Sequence, residues 1–197
     1  DLVECLQEGR IESLAAVPGV AYMQDNGMIL KKNKTAIFDL DTIPFIDRDL
    51  YHDLNLYSHH SILTSRGCPH SCKFCCNWGV GVKKCRSRSP INVVEELKYL
   101  KEKYGANTVY FADDLFFFNE SQRIEFCDLV LANGLDIEWV AQLRADNLSE
   151  KLLRVMKKSG CVKLCFGIES GSQEILNSIG KRIKLEQIRN TFKLLSD

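Results

Sequence analysis

Strand and helix patterns alternate along the sequence from residue 59 onward. Short apolar stretches typical of strands cover residues 59–67, 107–113, 136–144 and 161–170. Helical patterns cover residues 90–105, 120–134 and 149–160, and further helices start at Ser172 and near Leu185. Because the connections are short, we predict an α/β fold built from parallel βα units. Four units are too few for a closed barrel, so this pattern fits either a doubly wound sheet or an incomplete βα barrel.

The first 45 residues follow a different pattern. Asn26-Gly27 stands between two short apolar runs, which is a strong signal for a β-hairpin. The stretch 38–51 contains Pro44 and alternating acidic residues, and we interpret it as an extended linker. We therefore expect residues 1–45 to be the tail of an upstream domain plus a linker, and residues 46–197 to form the core. The sequence lacks an initiator Met and stops inside a helical pattern, so we expect a longer chain whose core is truncated on its C-terminal side.

Charge and hydropathy exclude several classes of protein. The 26 basic side chains balance the 26 acidic ones, which gives no electrostatic case for a nucleic-acid partner or an anionic membrane surface. No apolar run approaches the roughly 18 residues that a membrane-spanning helix needs. The first ten residues show neither a basic start nor an apolar stretch, so no signal peptide is visible and we expect a cytoplasmic protein.

Cysteine is abundant, with nine residues in the chain. A secreted disulfide scaffold is the first hypothesis to test. The number is odd, however, and four of the nine cysteines lie within residues 68–76, where pairing among them would be strained. A reducing compartment, with thiolates reserved for a metal, fits this usage better.

Three of these cysteines, Cys68, Cys72 and Cys75, form a C-x3-C-x2-C motif directly after the first predicted strand. Three soft thiolates on one loop suit either an iron–sulfur centre or zinc. A structural zinc site needs a fourth ligand, for which Cys76, His70 or Cys85 is available, but no second C-x2-C pair follows. Three thiolates on a cluster would instead leave one iron open to a substrate, as a catalytic centre requires.

The same loop resembles the signature of the radical S-adenosylmethionine (SAM) superfamily. Its spacing is Cys68-x3-Cys72-x-Phe74-Cys75, with an aromatic residue before the third cysteine. The stretches RSRSP…VVEEL (86–97) and GIESGSQEILNSIGK (167–181) also resemble that superfamily. The likeness is strongest to a branch with an upstream cobalamin-binding domain, in which segments like VPGVAYMQDNGMI and LDTIPFIDRDLY precede the barrel.

This resemblance implies a partial TIM-like (βα) barrel and a definite chemistry. Cys68, Cys72 and Cys75 would hold a [4Fe–4S] cluster, and SAM would bind its fourth iron through the amino and carboxylate groups. One electron would cleave SAM to methionine and a 5′-deoxyadenosyl radical that abstracts hydrogen from a substrate, or SAM would supply a methyl group to cobalamin. The partners implied are a small-molecule substrate and an electron donor such as flavodoxin or ferredoxin. Because cofactors carry this chemistry, the protein has to position them and exclude water.

The remaining candidate site residues lie at the C-terminal ends of the predicted strands, because βα barrels place their catalytic and binding residues there. These are Asp113 and Asp114 after the second strand, Arg144 after the third, and Glu169 and Ser170 after the fourth. Carboxylates and an arginine suit the ammonium and carboxylate groups of SAM. The resemblance further implies that Phe74 lies near the adenine.

Each of these assignments has a structural alternative. Asp113 or Asp114 could cap the next helix, and Arg144 could form a surface pair with Asp146. Many relatives carry Gly-Gly-Glu at the second strand end, whereas this chain has Ala112-Asp113-Asp114. Outside the motif, Cys127 and Cys165 are expected to be small buried hydrophobic residues.

Cobalamin is a weaker expectation, because the D-x-H-x-x-G pattern that supplies its lower ligand is absent from the sequence. A cobalamin-binding domain would lie upstream, with residues 1–20 as its final part. Two other functions fit parts of the sequence. One is a methylthiotransferase acting on RNA, which the neutral charge disfavours, and the other is a zinc-stabilised binding module without catalysis.

Overall fold

The computed structural model describes residues 2–24, 27–31, 36–53, 60–77, 84–146 and 148–196. The chain divides into two compact units, Asp1–Phe38 and Asp39–Asp197. The expectation that residues 1–45 belong to an upstream domain and its linker stays a prediction.

The first unit contains the predicted hairpin. Helix α1 (Leu2–Gln7) and a 3-10 helix (Ile11–Ala16) precede strands β1 (Ala21–Gln24) and β2 (Gly27–Leu30). The two strands pair antiparallel, with Gln24 opposite Gly27. Gly27 therefore opens the second strand, while Asn26 lies outside the described residues.

The second unit begins with the stretch that we interpreted as an extended linker. It contains two 3-10 helices, Leu40–Thr42 and Arg48–Leu50. An aspartate precedes each of them, and its side chain accepts a hydrogen bond from the backbone two residues later. Asp39 and Asp47 thus favour a turn over an extended chain, so the acidic residues of this stretch are turn formers.

The predicted βα units are confirmed. The strands are β3 (His60–Ile62), β4 (Ser65–Arg66), β5 (Arg86–Ser87), β6 (Thr108–Phe111), β7 (Glu138–Leu143) and β8 (Cys161–Phe166). The helices are α2 (Pro90–Tyr104), α3 (Glu120–Ala132), α4 (Glu150–Lys158), α5 (Gln173–Ser178) and α6 (Leu185–Ser196). Within the described ranges, no helix is long and apolar enough to cross a membrane.

The main sheet decides between the two architectures that the sequence allowed. Its strands are parallel and lie in the order β3-β6-β7-β8, so that each strand pairs with the next one along the chain. A doubly wound sheet reverses its strand order near the middle, whereas the wall of a barrel does not. The described sheet therefore has the order of a partial βα barrel.

The first predicted strand, residues 59–67, is interrupted. Its first part, β3, joins the parallel sheet, and its second part, β4, pairs antiparallel with β5. The chain leaves the sheet at Leu63 and Thr64, and β4 and β5 form a small ribbon from which the cysteine loop emerges. The pairing with β5 joins residues about twenty positions apart, so the apolar pattern of 59–67 alone does not predict the break.

Two arginines, the buried Arg48 and the partly buried Arg88, cover the outer edge of β3. Arg48 donates to the carbonyl of Ser61 at 3.0 Å, and Arg88 donates to the carbonyl of Leu63 at 2.9 Å. Both guanidinium groups also bind the buried carboxylate of Glu96 on α2. Edge strands need such cover because their unpaired carbonyls otherwise attract another strand.

An aromatic cluster forms the centre of the hydrophobic core. Phe111, Phe116, Phe126 and Trp139 are fully buried, and their ring centroids lie 4.7–5.7 Å apart. They come from β6, from the segment that follows it, from α3 and from β7. Because Phe116 belongs to this cluster, the segment after β6 is fixed to the core.

Arg123 on α3 fixes the same segment by hydrogen bonds. It is buried, and its guanidinium donates to the carbonyls of Phe116, Phe117 and Phe118 at 3.0–3.2 Å. Buried carbonyls need such donors because water cannot reach them.

We predict that Arg123→Met destabilises the protein by about 2–4 kcal/mol, because the buried carbonyls of Phe116 and Phe117 and the partly buried carbonyl of Phe118 lose a charged donor. Arg154→Met is the matched control, since Arg154 is exposed and its pair with Glu150 is worth less than about 1 kcal/mol. Urea unfolding of the full-length protein measures both. Equal losses in the two variants would contradict this role of Arg123.

Candidate functional site

A cavity of about 420 Å³ lies where the parallel strands end. It brings together seven of the nine predicted site residues: Cys68, Cys72, Phe74, Cys75, Asp114, Arg144 and Glu169. Asp113 and Ser170 are not among its lining residues. Four strand ends thus supply thiols, carboxylates and a guanidinium to one space.

The cysteine loop is held against a turn that follows α5. The backbone N–H of Lys73 donates to the carbonyl of Ile179 at 2.9 Å. The next residue, Gly180, has a left-handed backbone, and an added Cβ would lie 3.3 Å from the carbonyl oxygen of Ser71. The close approach and the positive φ both favour glycine here. The loop that carries the cysteines is therefore packed against a distant part of the chain.

The three thiols of the motif line the cavity without converging on one point. In the described parts of the chain, no three His, Cys, Asp or Glu side chains form a group that could hold a single metal ion. A [4Fe–4S] cluster does not need such convergence, since each thiolate binds a different iron. Burial raises the pKa of Cys68, and the nearby carboxylate of Asp114 raises that pKa further. A bound metal would offset this cost, because metal coordination deprotonates a thiol.

The nine cysteines are all free thiols, which agrees with the rejection of a disulfide scaffold. Cys127 is fully buried in the core, as expected. The same expectation is wrong for Cys165, which is half-buried and lines the cavity. Cys165 and its neighbour Phe166 both lie at the end of β8 and both line the cavity. The alternation of side chains along a strand therefore does not predict which residues line the cavity at the strand end.

The two aspartates after β6 have different environments. Asp114 lines the cavity, whereas Asp113 is only 2% exposed and binds the backbone and hydroxyl groups of Thr64 and Ser65. Neither residue caps the next helix, because Asn119 occupies the N-cap position of α3.

Ser170 stabilises the turn into α5. Its hydroxyl accepts a hydrogen bond from the backbone N–H of Ser172 at 3.0 Å. Ser172 in turn caps α5. The position of Ser170 is thus explained by local structure.

Arg144 forms a pair with Asp146, but not the surface pair that we considered. The two side chains are only 12% and 14% exposed, and both the Nε and the Nη2 atoms of Arg144 contact the carboxylate. Nη2 also donates to the backbone carbonyl of Lys181 at 3.0 Å. Arg144 therefore connects the end of β7 to the turn after α5.

Glu169 adopts a left-handed backbone, with φ of 68°. This conformation costs a non-glycine residue about 1–2 kcal/mol. Lys181 holds its side chain, since Nζ donates to Oε1 at 2.9 Å. The same Nζ lies 5.7 Å from the ring centroid of Phe74. A Cβ at Gly167 would lie 2.7 Å from Oε1 of Glu169, so glycine leaves room for this carboxylate.

Sequence reasoning missed several residues of the cavity. Lys181 is the most informative, because it is buried and pairs with Glu169. It lies at the end of the 167–181 likeness, which was the available signal. His70 and Gln142 also line the cavity. Burial and, to a smaller extent, the charge of Arg144 lower the pKa of His70, so this imidazole is favoured in its neutral form.

The cavity thus combines charges of both signs. Asp114 and Glu169 are acidic, while Arg144 and Lys181 are basic. A ligand that carries both an ammonium and a carboxylate is complementary to such a mixture.

Comparison with known protein families matches residues 62–197 to the Radical SAM superfamily. The chain belongs to this superfamily. The match includes the cysteine loop and the strand ends described above. The predicted family, the partial barrel and the [4Fe–4S] and SAM cofactors that membership implies are therefore confirmed.

Several known proteins resemble the chain over most of its length. An uncharacterized methyltransferase of Pyrococcus horikoshii is 34% identical over 192 residues, which cover 95% of this chain and 41% of that protein. The anaerobic magnesium-protoporphyrin IX monomethyl ester cyclase of Rubrivivax gelatinosus is 27% identical over 206 residues, covering 100% of this chain and 37% of the cyclase. The chain spans about two fifths of the length of these relatives.

Among solved structures, the fold resembles a cobalamin-dependent SAM radical enzyme, OxsB, with aqua-cobalamin and SAM bound. The TM-score is 0.79 at 21% identity, and the match covers 96% of this chain and 30% of that one. This likeness supports the fold of a radical SAM barrel.

We predict that the stability contributed by Asp113 depends on pH. Burial raises the pKa of this carboxyl from 3.8 to about 6, although hydrogen bonds from Thr64 and Ser65 oppose the shift. Because the folded-state pKa exceeds the unfolded one, the contribution is fully present below about pH 4 and is lost as the pH rises through 6. Relative to Asp113→Asn, which does not ionise, the wild type should lose about 2 kcal/mol of unfolding free energy between pH 4 and pH 7.

Urea unfolding of both forms of the full-length protein at several pH values measures this difference. A difference between wild type and Asp113→Asn that does not change with pH would contradict the raised pKa.

Proposed function

We propose that the chain forms the core of an enzyme that reductively cleaves SAM at a [4Fe–4S] cluster. One observation carries this proposal. The three motif cysteines line the same cavity as Asp114, Arg144 and Glu169. The cluster ligands and the groups suited to SAM therefore share one space at the ends of the strands.

The residues divide by chemistry. Cys68, Cys72 and Cys75 would hold the cluster, because their thiolates are the soft donors that iron–sulfur centres use. Asp114 and Glu169 would bind the ammonium group of SAM, and Arg144 would bind its carboxylate. Phe74 would lie beside the adenine.

When bound at Cys68, Cys72 and Cys75, the reduced cluster would supply the electron for reductive cleavage of SAM. The chain's own contribution is orientation. Lys181 holds Oε1 of Glu169, and Asp146 holds the guanidinium of Arg144, so both groups are ordered before a ligand arrives. Such ordering reduces the entropy lost on binding.

Methyl transfer assisted by cobalamin is the favoured use of this chemistry. One relative is named a methyltransferase, and a structural neighbour is a cobalamin-dependent radical enzyme. The alternative use is hydrogen abstraction without methyl transfer. The relative that is named a cyclase, not a methyltransferase, supports this alternative. The substrate we propose is a small molecule, since the neutral charge gives no basis for RNA binding.

The proposed setting follows from the cofactors. Reduction of the cluster needs an electron donor such as flavodoxin or ferredoxin. Free thiols and an iron–sulfur centre persist in a reducing compartment, which supports a cytoplasmic location.

We predict that anaerobic reconstitution yields about four irons per chain and absorbance near roughly 400 nm, as iron–sulfur centres do. Alanine at Cys68, Cys72 or Cys75 should abolish both signals, because each thiolate holds a different iron. Cys76→Ala is the matched control, since this exposed neighbour lies outside the spacing and should leave the iron content unchanged.

Iron analysis and absorbance spectra distinguish the outcomes. A colourless protein with a single zinc ion would support the binding module instead. Complete loss of iron in Cys76→Ala would contradict the assigned ligand set.

We predict that Glu169→Gln weakens SAM binding about 10- to 100-fold while the iron content stays constant, because one charge-assisted contact is lost. Glu174→Gln, in the first turn of α5, is the matched control and should bind SAM as the wild type does. Equilibrium binding of SAM to the reconstituted protein provides the measurement. An unchanged affinity in Glu169→Gln would remove Glu169 from the site.

A further inference from the structure

Asp113 lies next to the proposed SAM site without lining it. Its neighbours in sequence, Ala112 and Asp114, are less buried, and only Asp114 lines the cavity with the cysteines. Asp113 itself is 2% exposed. A buried carboxylate is costly, so a specific set of contacts has to account for it.

A single oxygen atom of Asp113 makes those contacts. Oδ1 lies 2.5–3.1 Å from the backbone nitrogens and hydroxyl oxygens of both Thr64 and Ser65. The other oxygen, Oδ2, is buried and has no hydrogen-bond partner among the described residues. The side chain of Asp113 thus accepts hydrogen bonds from one short segment, Thr64 and Ser65.

That segment is the point at which the chain leaves the main sheet. β3 ends at Ile62, and β4 starts at Ser65 in a different, antiparallel pairing. The backbone N–H groups of Thr64 and Ser65 are buried there, and Asp113 accepts from both. Buried N–H groups that lack a ladder partner need another acceptor, and an ionised carboxylate is a strong one.

Further bonds connect this segment to the cavity wall. The hydroxyl of Thr64 accepts from the backbone N–H of Phe117, and the hydroxyl of Ser65 lies 2.9 Å from the carbonyl of Leu115. Leu115 itself lines the cavity. The contacts of Asp113 therefore join the start of the cysteine loop to the segment that carries Asp114.

We propose that Asp113 is a positioning residue for the cluster loop and not a contact of SAM. Only two residues separate Ser65 from Cys68. The segment that Asp113 binds therefore determines the position of the backbone that leads to the first cluster ligand. The inference rests on the proposed function, because it takes Cys68, Cys72 and Cys75 to be the cluster ligands.

The test compares iron retention with SAM affinity in the reconstituted full-length protein. Iron loss to a chelator is followed anaerobically in the absence of SAM, and SAM affinity is measured separately. Asp113→Ala should lose iron about tenfold faster than the wild type, because the charge-assisted contacts with Thr64 and Ser65, just before the cysteine loop, are lost. Asp113→Asn keeps an acceptor oxygen and should fall between the two.

Three other variants isolate the cause. Ser65→Ala removes a hydroxyl that lies 3.1 Å from Oδ1 of Asp113 and 2.9 Å from the carbonyl of Leu115. It should also speed iron loss, which keeps the test available if Asp113→Ala does not accumulate. Met156→Ala removes a fully buried side chain from α4, away from the contacts of Asp113, and should retain iron as the wild type does. Asp114→Asn should show the reverse pattern, with weaker SAM binding and unchanged iron loss.

Two results would overturn the inference. One is normal iron retention in Asp113→Ala or Ser65→Ala, with or without a fall in SAM affinity. The other is equally fast iron loss in Met156→Ala, which would indicate general destabilisation of the core. Failure of the proposed function is distinct, because the wild type would then hold no cluster at the start.

Discussion

The parallel pairing of β3, β6, β7 and β8 in chain order is the constraint on which the site depends. Parallel strands share a direction, so their C-terminal ends meet at one edge of the sheet. The residues that follow them are widely separated in sequence but line one cavity. Neither the cysteine loop nor any single strand end would form this site alone.

Contacts between the strand ends then hold the charged groups in place. The turn after α5 is central, because its Lys181 binds Glu169 through the side chain and Arg144 through the backbone. The preceding residue, Gly180, packs against the cysteine loop. One short turn thus contacts three of the groups that we assign to cluster and SAM binding, and pre-ordering of this kind favours catalysis.

Much of the fold could be predicted because its signals are local. Ser89 and Ser149 cap α2 and α4 through side-chain bonds, and Gly105 ends α2 in a left-handed conformation. These residues lie beside the elements that they terminate, so sequence alone locates them. The strand ends could be located for the same reason, and with them three charged residues of the cavity, Asp114, Arg144 and Glu169.

Long-range pairing explains what the sequence could not supply. The separation of β3 from β4 depends on β5, and the difference between Asp113 and Asp114 depends on where Thr64 and Ser65 leave the sheet. The role of Lys181 was not predicted because its partner, Glu169, precedes α5 in sequence whereas Lys181 follows it. Such contacts appear only once the chain is folded.

We infer that SAM binds at a cluster held by Cys68, Cys72 and Cys75. The most direct measurement is the electron paramagnetic resonance spectrum of the reduced, reconstituted protein with and without SAM. Binding of SAM to the open iron would change the ligand field of the cluster, so we expect a distinct spectrum when SAM is added. Identical spectra in the presence and absence of saturating SAM would contradict it.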